Sequence, residues 1–189
     1  VGEPTRTLVL GGARSGKSAH AESCAVTEPV RYLATGRRDR TDEDWQRRID
    51  LHRASRPQHW STVETVTALA SSISEPWDGT TLVDDLGTWL TGMLDDARAW
   101  ERPRGTITPA VDDLVGAVAA CTSTLVLVSP EVGLSVVPES HSGRLFRDEL
   151  GLLNSRLAAV CDRVLLVVAG LAMTLKEPPA DFITAKGEV

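Results

Sequence analysis

Apolar residues come in two arrangements along this chain. Short segments, most of them continuous apolar runs, stand at residues 7–10, 30–34, 80–83, 124–129 and 163–168. Their continuity predicts strands buried on both faces, as in a parallel sheet. Between them, apolar positions recur every three or four residues. That spacing predicts helices over 17–26, 42–55, 66–73, 86–99, 109–121 and 143–160. Alternation of the two implies an α/β layer fold with right-handed crossovers. Weaker patterns add a short strand at 60–64 and an edge strand at 171–176, after a turn at Gly170. In the helix over 143–160, Phe146, Leu150, Leu153, Leu157 and Val160 make the core stripe. A second line, Arg144, Arg147, Gly151 and Asn154, runs beside it. Folding does not require that line, and Gly151 costs about 1 kcal/mol against Ala inside a helix. It is either tolerated on an exposed face or marks close approach of another backbone or a ligand.

Length and composition narrow the picture. The 189 residues suit one domain over 6–176, with a short extension at 1–5 and a tail over 177–189 that reads as extended at Pro178-Pro179. A net charge of −6 and a pI near 5.2 argue against nucleic acid or an anionic membrane as the main partner. Any phosphate chemistry therefore rests on local positive sites. Cys24, Cys121 and Cys161 are far apart and form no C-x-x-C pair, so they read as small core residues in a reducing cytosol. The first residues carry no apolar signal core, and the apolar run over 164–173 is too short to span a bilayer.

The strand over 7–10 leads into Gly11-Gly12-Ala13-Arg14-Ser15-Gly16-Lys17-Ser18, which completes G-x-x-x-x-G-K-[ST]. Gly11 and Gly16 let the backbone turn and approach a ligand. Successive backbone N–H groups then face one concavity, and the following helix adds its positive end. Lys17 supplies a mobile point charge for β- and γ-phosphates, and the Ser18 hydroxyl suits Mg²⁺.

In such a sheet, ligands bind at the carboxyl ends of the strands. The residues there are polar, charged or glycine-containing: Thr35-Gly36-Arg37-Arg38, Asp84-Asp85 and Pro130-Glu131-Val132-Gly133. Asp84 reads as the carboxylate partner of the phosphate loop toward Mg²⁺, and Asp85 as the cap of the next helix. The segment over 42–57 opens acidic, closes basic and stops at Pro57. Trp45, Ile49 and His52 share one face of it, with Arg48, Arg53 and Arg56 nearby. Two readings of His52 stay open: a half-buried structural histidine, or a neutral nucleophile whose arginine neighbours depress its pKa and hold a phosphate. Nothing comparable surrounds His20, His59 or His141.

Together these motifs resemble the bifunctional adenosylcobinamide kinase / adenosylcobinamide-phosphate guanylyltransferase family of cobalamin biosynthesis. The resemblance is carried by the phosphate loop, Tyr32-Leu33-Ala34-Thr35, Arg48-Ile49-Asp50-Leu51-His52-Arg53, Arg56-Pro57 and Trp60-Ser61-Thr62-Val63-Glu64. It continues through Glu131-Val132-Gly133, Val137-Pro138-Glu139, Arg144-Leu145-Phe146-Arg147-Asp148, Gly151-Leu152-Leu153-Asn154 and Val167-Val168-Ala169-Gly170.

The resemblance implies a three-layer, mostly parallel, RecA-like phosphate-loop fold, usually assembled as a homotrimer in the cytoplasm. It implies two reactions: phosphorylation of adenosylcobinamide by ATP or GTP, then transfer of GMP from GTP to adenosylcobinamide phosphate through a GMP–histidine intermediate. The matching histidine is His52. Family nucleotide contacts fall on Gly11 to Ser18, Ala34, Thr35, Gly36, Arg53, Ala54, Ser55, Arg56, Glu64 and Asp84. Pro130 stands where relatives often carry Asn, and Leu51 where they often carry a second His. Two other readings of the residues are a phosphate-loop small-molecule kinase without guanylyl transfer and a nucleotide-dependent regulatory NTPase.

Overall fold

The computed structural model describes residues 5–37, 47, 56–65 and 67–177. Its strands are β1 (Arg6–Gly11), β2 (Val30–Ala34), β3 (Ser61–Glu64), β4 (Thr80–Asp84), β5 (Thr124–Pro130), β6 (Arg163–Val168) and β7 (Leu171–Lys176). Its helices are α1 (Lys17–Cys24), α2 (Leu69–Ser74), α3 (Leu86–Asp96), α4 (Thr108–Ala120) and α5 (His141–Val160). The strands form one sheet in the order β3-β2-β4-β5-β1-β6-β7. Every neighbouring pair is parallel except β6 and β7. That exception follows from the connection. Ala169 and Gly170 both have positive φ, 52° and 80°, the backbone that closes a two-residue hairpin.

The five inner strands are largely buried on both faces, which is why they read as mostly continuous apolar runs, whereas the edge strands β3 and β7 are exposed. Leu8, Leu10, Leu33, Val83, Leu125 and Leu127 face one core with α2 to α5. Val9, Tyr32, Leu82, Val126 and Val128 face the other, against Ala21 of α1. On α5, Leu150, Leu153 and Leu157 are buried, with Phe146 and Val160 packed beside them, as the stripe predicts.

Helix ends differ from the pattern by one to three residues. α3 stops at Asp96, because Arg98 turns the chain with φ of 47°. α5 begins two residues before Gly143, because the Ser140 side chain caps it by accepting from Gly143 N at 3.1 Å. α2 spans only Leu69–Ser74, burying Leu69 and Ile73. The helix expected over 42–55 lies outside the described residues except at Arg47, which is helical. Of the cysteines, Cys161 is buried and the other two are half-buried; all three are free.

A clamp at the amino edge sets the register of the central strands. Asp162 accepts from Arg6 Nε at 3.0 Å and from a second guanidinium nitrogen at 2.7 Å, while Asp162 N donates to Arg6 O at 2.9 Å. β1 and β6 therefore start level, and their carboxyl ends deliver the phosphate loop and the Ala169-Gly170 turn side by side.

Candidate active site

The loop between β1 and α1 is shaped by what surrounds it. A Cβ on Gly11 would sit 2.4 Å from Ser15 Oγ and 2.8 Å from the Val167 carbonyl oxygen of β6. Glycine is thus required by close approach. Gly16 is required by conformation: its φ of 92° lies in the left-handed region at the start of α1. A Cβ on Gly12 would meet nothing within 4 Å. The loop is pinned from both sides, since Gly170 N donates to Ser15 O at 2.8 Å and Glu131 N to Gly11 O at 3.0 Å. Gly12, Ala13 and Arg14 are exposed, and Lys17 and Ser18 are half-buried at the first turn of α1. The helix has no side-chain cap, so its first N–H groups are left for an anion.

Asp84 ends β4 and faces this turn across β5. Ser18 Oγ lies 3.4 Å from Asp84 Oδ1, and the Tyr32 hydroxyl donates to Asp84 Oδ2 at 2.7 Å. Two hard oxygens at that spacing suit adjacent positions on Mg²⁺, whose octahedral ligands lie about 3 Å apart. Among the described residues, no group of three or more His, Cys, Asp and Glu could hold a metal by itself. Asp85 caps α3, accepting from Thr88 N at 2.9 Å. Burial and the neighbouring Asp84 push its carboxyl pKa up, while the Thr88 amide and the Lys17 ammonium pull it back. Thr35 Oγ1 donates to Asp85 O at 2.6 Å, tying the end of β2 to the same corner.

Arg56 reaches this corner as well. Its guanidinium lies 3.4 Å above the centre of the Tyr32 ring, and its Nε is buried without a hydrogen-bond partner among the described residues. Ser15 Oγ and Thr65 Oγ1 are also buried and unpartnered. All three lie by the carboxyl edge, where a ligand could satisfy them. Ala34 and Gly36 are half-buried beside Thr35, and Glu64 is exposed at the end of β3, in register with Ala34. His52, Arg53, Ala54 and Ser55 lie outside the described residues.

The second line on α5 divides by task. Asn154, 5% exposed, accepts from Ser129 Oγ at 2.6 Å and donates to Pro130 O at 3.0 Å, fixing the end of β5. Arg147 donates to Gly133 O at 3.0 Å and Arg144 to Pro138 O at 3.1 Å, shaping the loop after β5. A Cβ on Gly151 would meet nothing within 4 Å, so no described group approaches it closely. His59 pairs with Glu28 at 3.0 Å, and His141 lies 3.1 Å from Trp100 O; both are remote from the loop in their partners. A concavity of about 430 Å³ lined by Ile73, Trp77 and Cys121 lies at the opposite, amino edge of the sheet. Sequence reasoning gave Tyr32 no role of its own. Its signal was a hydroxyl-bearing aromatic two residues before the end of the mostly apolar strand β2.

Comparison with known proteins agrees with this geometry. At the level of fold alone, the chain superposes on an ATPase of the type III secretion system of pathogenic bacteria with a TM-score of 0.57 at 12% identity, covering 92% of this chain and 57% of that one. It also superposes on a Pyrococcus horikoshii protein with a TM-score of 0.52 at 9% identity, covering 94% and 88%. In sequence, it is 42% identical to the bifunctional adenosylcobalamin biosynthesis protein CobP of Pseudomonas aeruginosa, over 92% of this chain and 99% of that one. It is 38% identical to the bifunctional adenosylcobalamin biosynthesis protein CobU of Salmonella typhimurium, over 89% and 98%. The family model for cobinamide kinase / cobinamide phosphate guanyltransferase matches residues 7–175. The chain therefore belongs to the cobinamide kinase / cobinamide phosphate guanyltransferase family.

Proposed function

We propose that this chain performs both reactions for which its family is named. It phosphorylates the aminopropanol hydroxyl of adenosylcobinamide, then transfers GMP from GTP to the resulting phosphate, giving adenosylcobinamide-GDP and pyrophosphate. Family membership across residues 7–175 carries this reading. The facing arrangement of Ser18, Asp84 and the phosphate loop supports it.

In the first reaction, the loop amides and Lys17 hold the triphosphate in line with the acceptor hydroxyl and neutralise charge on the transferring group. Ser18 and Asp84 would hold Mg²⁺, which when bound neutralises phosphate charge. In the second, His52 attacks the α-phosphorus, an N–P bond forms and the bond to pyrophosphate breaks. Lys17 and the loop amides stabilise the departing pyrophosphate. Adenosylcobinamide phosphate then attacks the phosphoramidate, and His52 leaves as the free imidazole. Arg56 follows His52 by four positions, a chain length of at most about 14 Å. Arg56 lies on Tyr32 beside Asp84, so this reach is compatible with attack on a nucleotide in the loop. Arg53, Ala54, Ser55, Arg56, Ala34, Thr35, Gly36 and Glu64 form the nucleotide's other wall in this reading.

The assembly we propose is a homotrimer, and the compartment the cytoplasm. Leu171 and Met173 on β7 are 74% and 56% exposed, an apolar surface that a second copy could cover. The free cysteines suit a reducing compartment. Among the described residues, no helix is long and apolar enough to cross a membrane.

Incubation with α- and γ-labelled GTP tests the mechanism. The expected result is an acid-labile protein adduct from the α-label only, absent in His52→Ala. An adduct that persists in His52→Ala overturns the nucleophile. No adduct at all, with cobinamide still phosphorylated, overturns the guanylyl transfer and leaves a kinase.

A further inference from the structure

Tyr32 is the chain's one tyrosine and is 1% exposed. Its ring lies on the α1 side of the sheet, packed with Val9, Ala21, Leu82 and Val126. A phenylalanine would serve that packing. Among the described residues, the hydroxyl's one partner is Asp84 Oδ2 at 2.7 Å, and the other oxygen of the same carboxylate faces Ser18. The guanidinium carbon of Arg56 lies over the ring, 3.4 Å from its centroid, a cation–π contact. One side chain thus touches the carboxylate opposite the phosphate loop and the residue that closes the His52 segment.

We propose that Tyr32 is a positioning residue: its phenol holds Asp84 Oδ2 so that Oδ1 stays turned to Ser18, where Mg²⁺ is received. This rests on the assignment of Ser18 and Asp84 as the metal-facing oxygens. A carboxylate at a strand end rotates about two side-chain bonds, and a charge-assisted hydrogen bond to one oxygen fixes the other. An ordinary phenol keeps its proton at neutral pH, so the hydroxyl is the donor in this contact.

The test is the magnesium dependence of nucleotide binding, read without turnover. A fluorescent N-methylanthraniloyl GTP is titrated into the full chain with excess magnesium and again in EDTA. For the wild type, affinity in magnesium should exceed that in EDTA; equal affinities would overturn the metal assignment itself. In Tyr32→Phe the ratio of the two affinities should fall about tenfold, the worth of one hydrogen bond to a charged group, with the EDTA value nearly unchanged. Asp84→Asn should lose a similar ratio, and the double variant no more than Asp84→Asn alone. A Tyr32→Phe protein that keeps the wild-type ratio overturns the proposal, even if its melting temperature falls. If Tyr32→Phe does not fold, wild type labelled with [ζ-¹³C]tyrosine carries the same question. Its single resonance should shift when magnesium joins the nucleotide complex, and no shift overturns the proposal.

Discussion

Adding one methyl group to Gly11 tests whether the loop is held by close approach or by composition. In Gly11→Ala, the new Cβ would lie 2.4 Å from Ser15 Oγ and 2.8 Å from the Val167 carbonyl oxygen. The hydroxyl can rotate away. The carbonyl cannot, because β6 is locked between β1 and β7 in the sheet. Backbone must therefore give by roughly half an ångström in a close-packed interior. Overpacking of that kind costs about 1–3 kcal/mol, or roughly 2–12 °C in Tm for a domain of this size. Because Gly11 O also accepts from Glu131 N, the shift spreads to the end of β5 and nucleotide affinity should fall with stability. Gly12→Ala is the matched control. Its Cβ meets nothing within 4 Å, so its stability should stay within about 0.5 kcal/mol of wild type. Thermal and denaturant unfolding of both proteins decide the matter. Equal midpoints for the two variants would refute the steric reasoning.

Asn154→Ala removes the partner of the buried Ser129 hydroxyl and of Pro130 O; urea unfolding should show a loss of about 2–4 kcal/mol, and an unchanged midpoint would count against that bridge. Asp162→Asn tests the amino-edge clamp, where Arg6 holds the Asp162 carboxyl pKa below its ordinary value. Its stabilisation is full above the ordinary carboxylate range and is lost as pH falls through the lowered folded value. The variant should thus be less stable by about 1 kcal/mol at neutral pH, allowing for partial solvent screening, and should converge with wild type in acid. A deficit independent of pH would mean that packing, not charge, holds the clamp.

The continuous apolar runs announced strands buried on both faces, and the helical spacing on α5 announced which side faces the core. The phosphate loop was legible because its chemistry is contiguous in the chain. The position of Asp84 was legible for a related reason: a carboxylate closing an apolar strand lies at the edge where such a loop opens. The Arg144–Asn154 line was visible as a pattern, but its meaning was divided only in three dimensions. Asn154 holds strand β5, the two arginines hold the following loop, and Gly151 touches nothing.

Periodicity tells a residue's face but not its neighbours across strands. The order β2-β4-β5-β1 brings together Ser18, Tyr32 and Asp84, although 66 residues separate Ser18 from Asp84 and 52 separate Tyr32 from Asp84. No local pattern encodes those contacts, because long-range strand pairing is chosen by the packing of the whole sheet. The chain alone thus determined most of the elements, the phosphate-loop motif and the family. Only the tertiary structure decided that the Asp84 carboxylate is shared between a serine and a tyrosine, that Arg56 lies upon that tyrosine, and that Gly11 is glycine because β6 leaves no room for a methyl group.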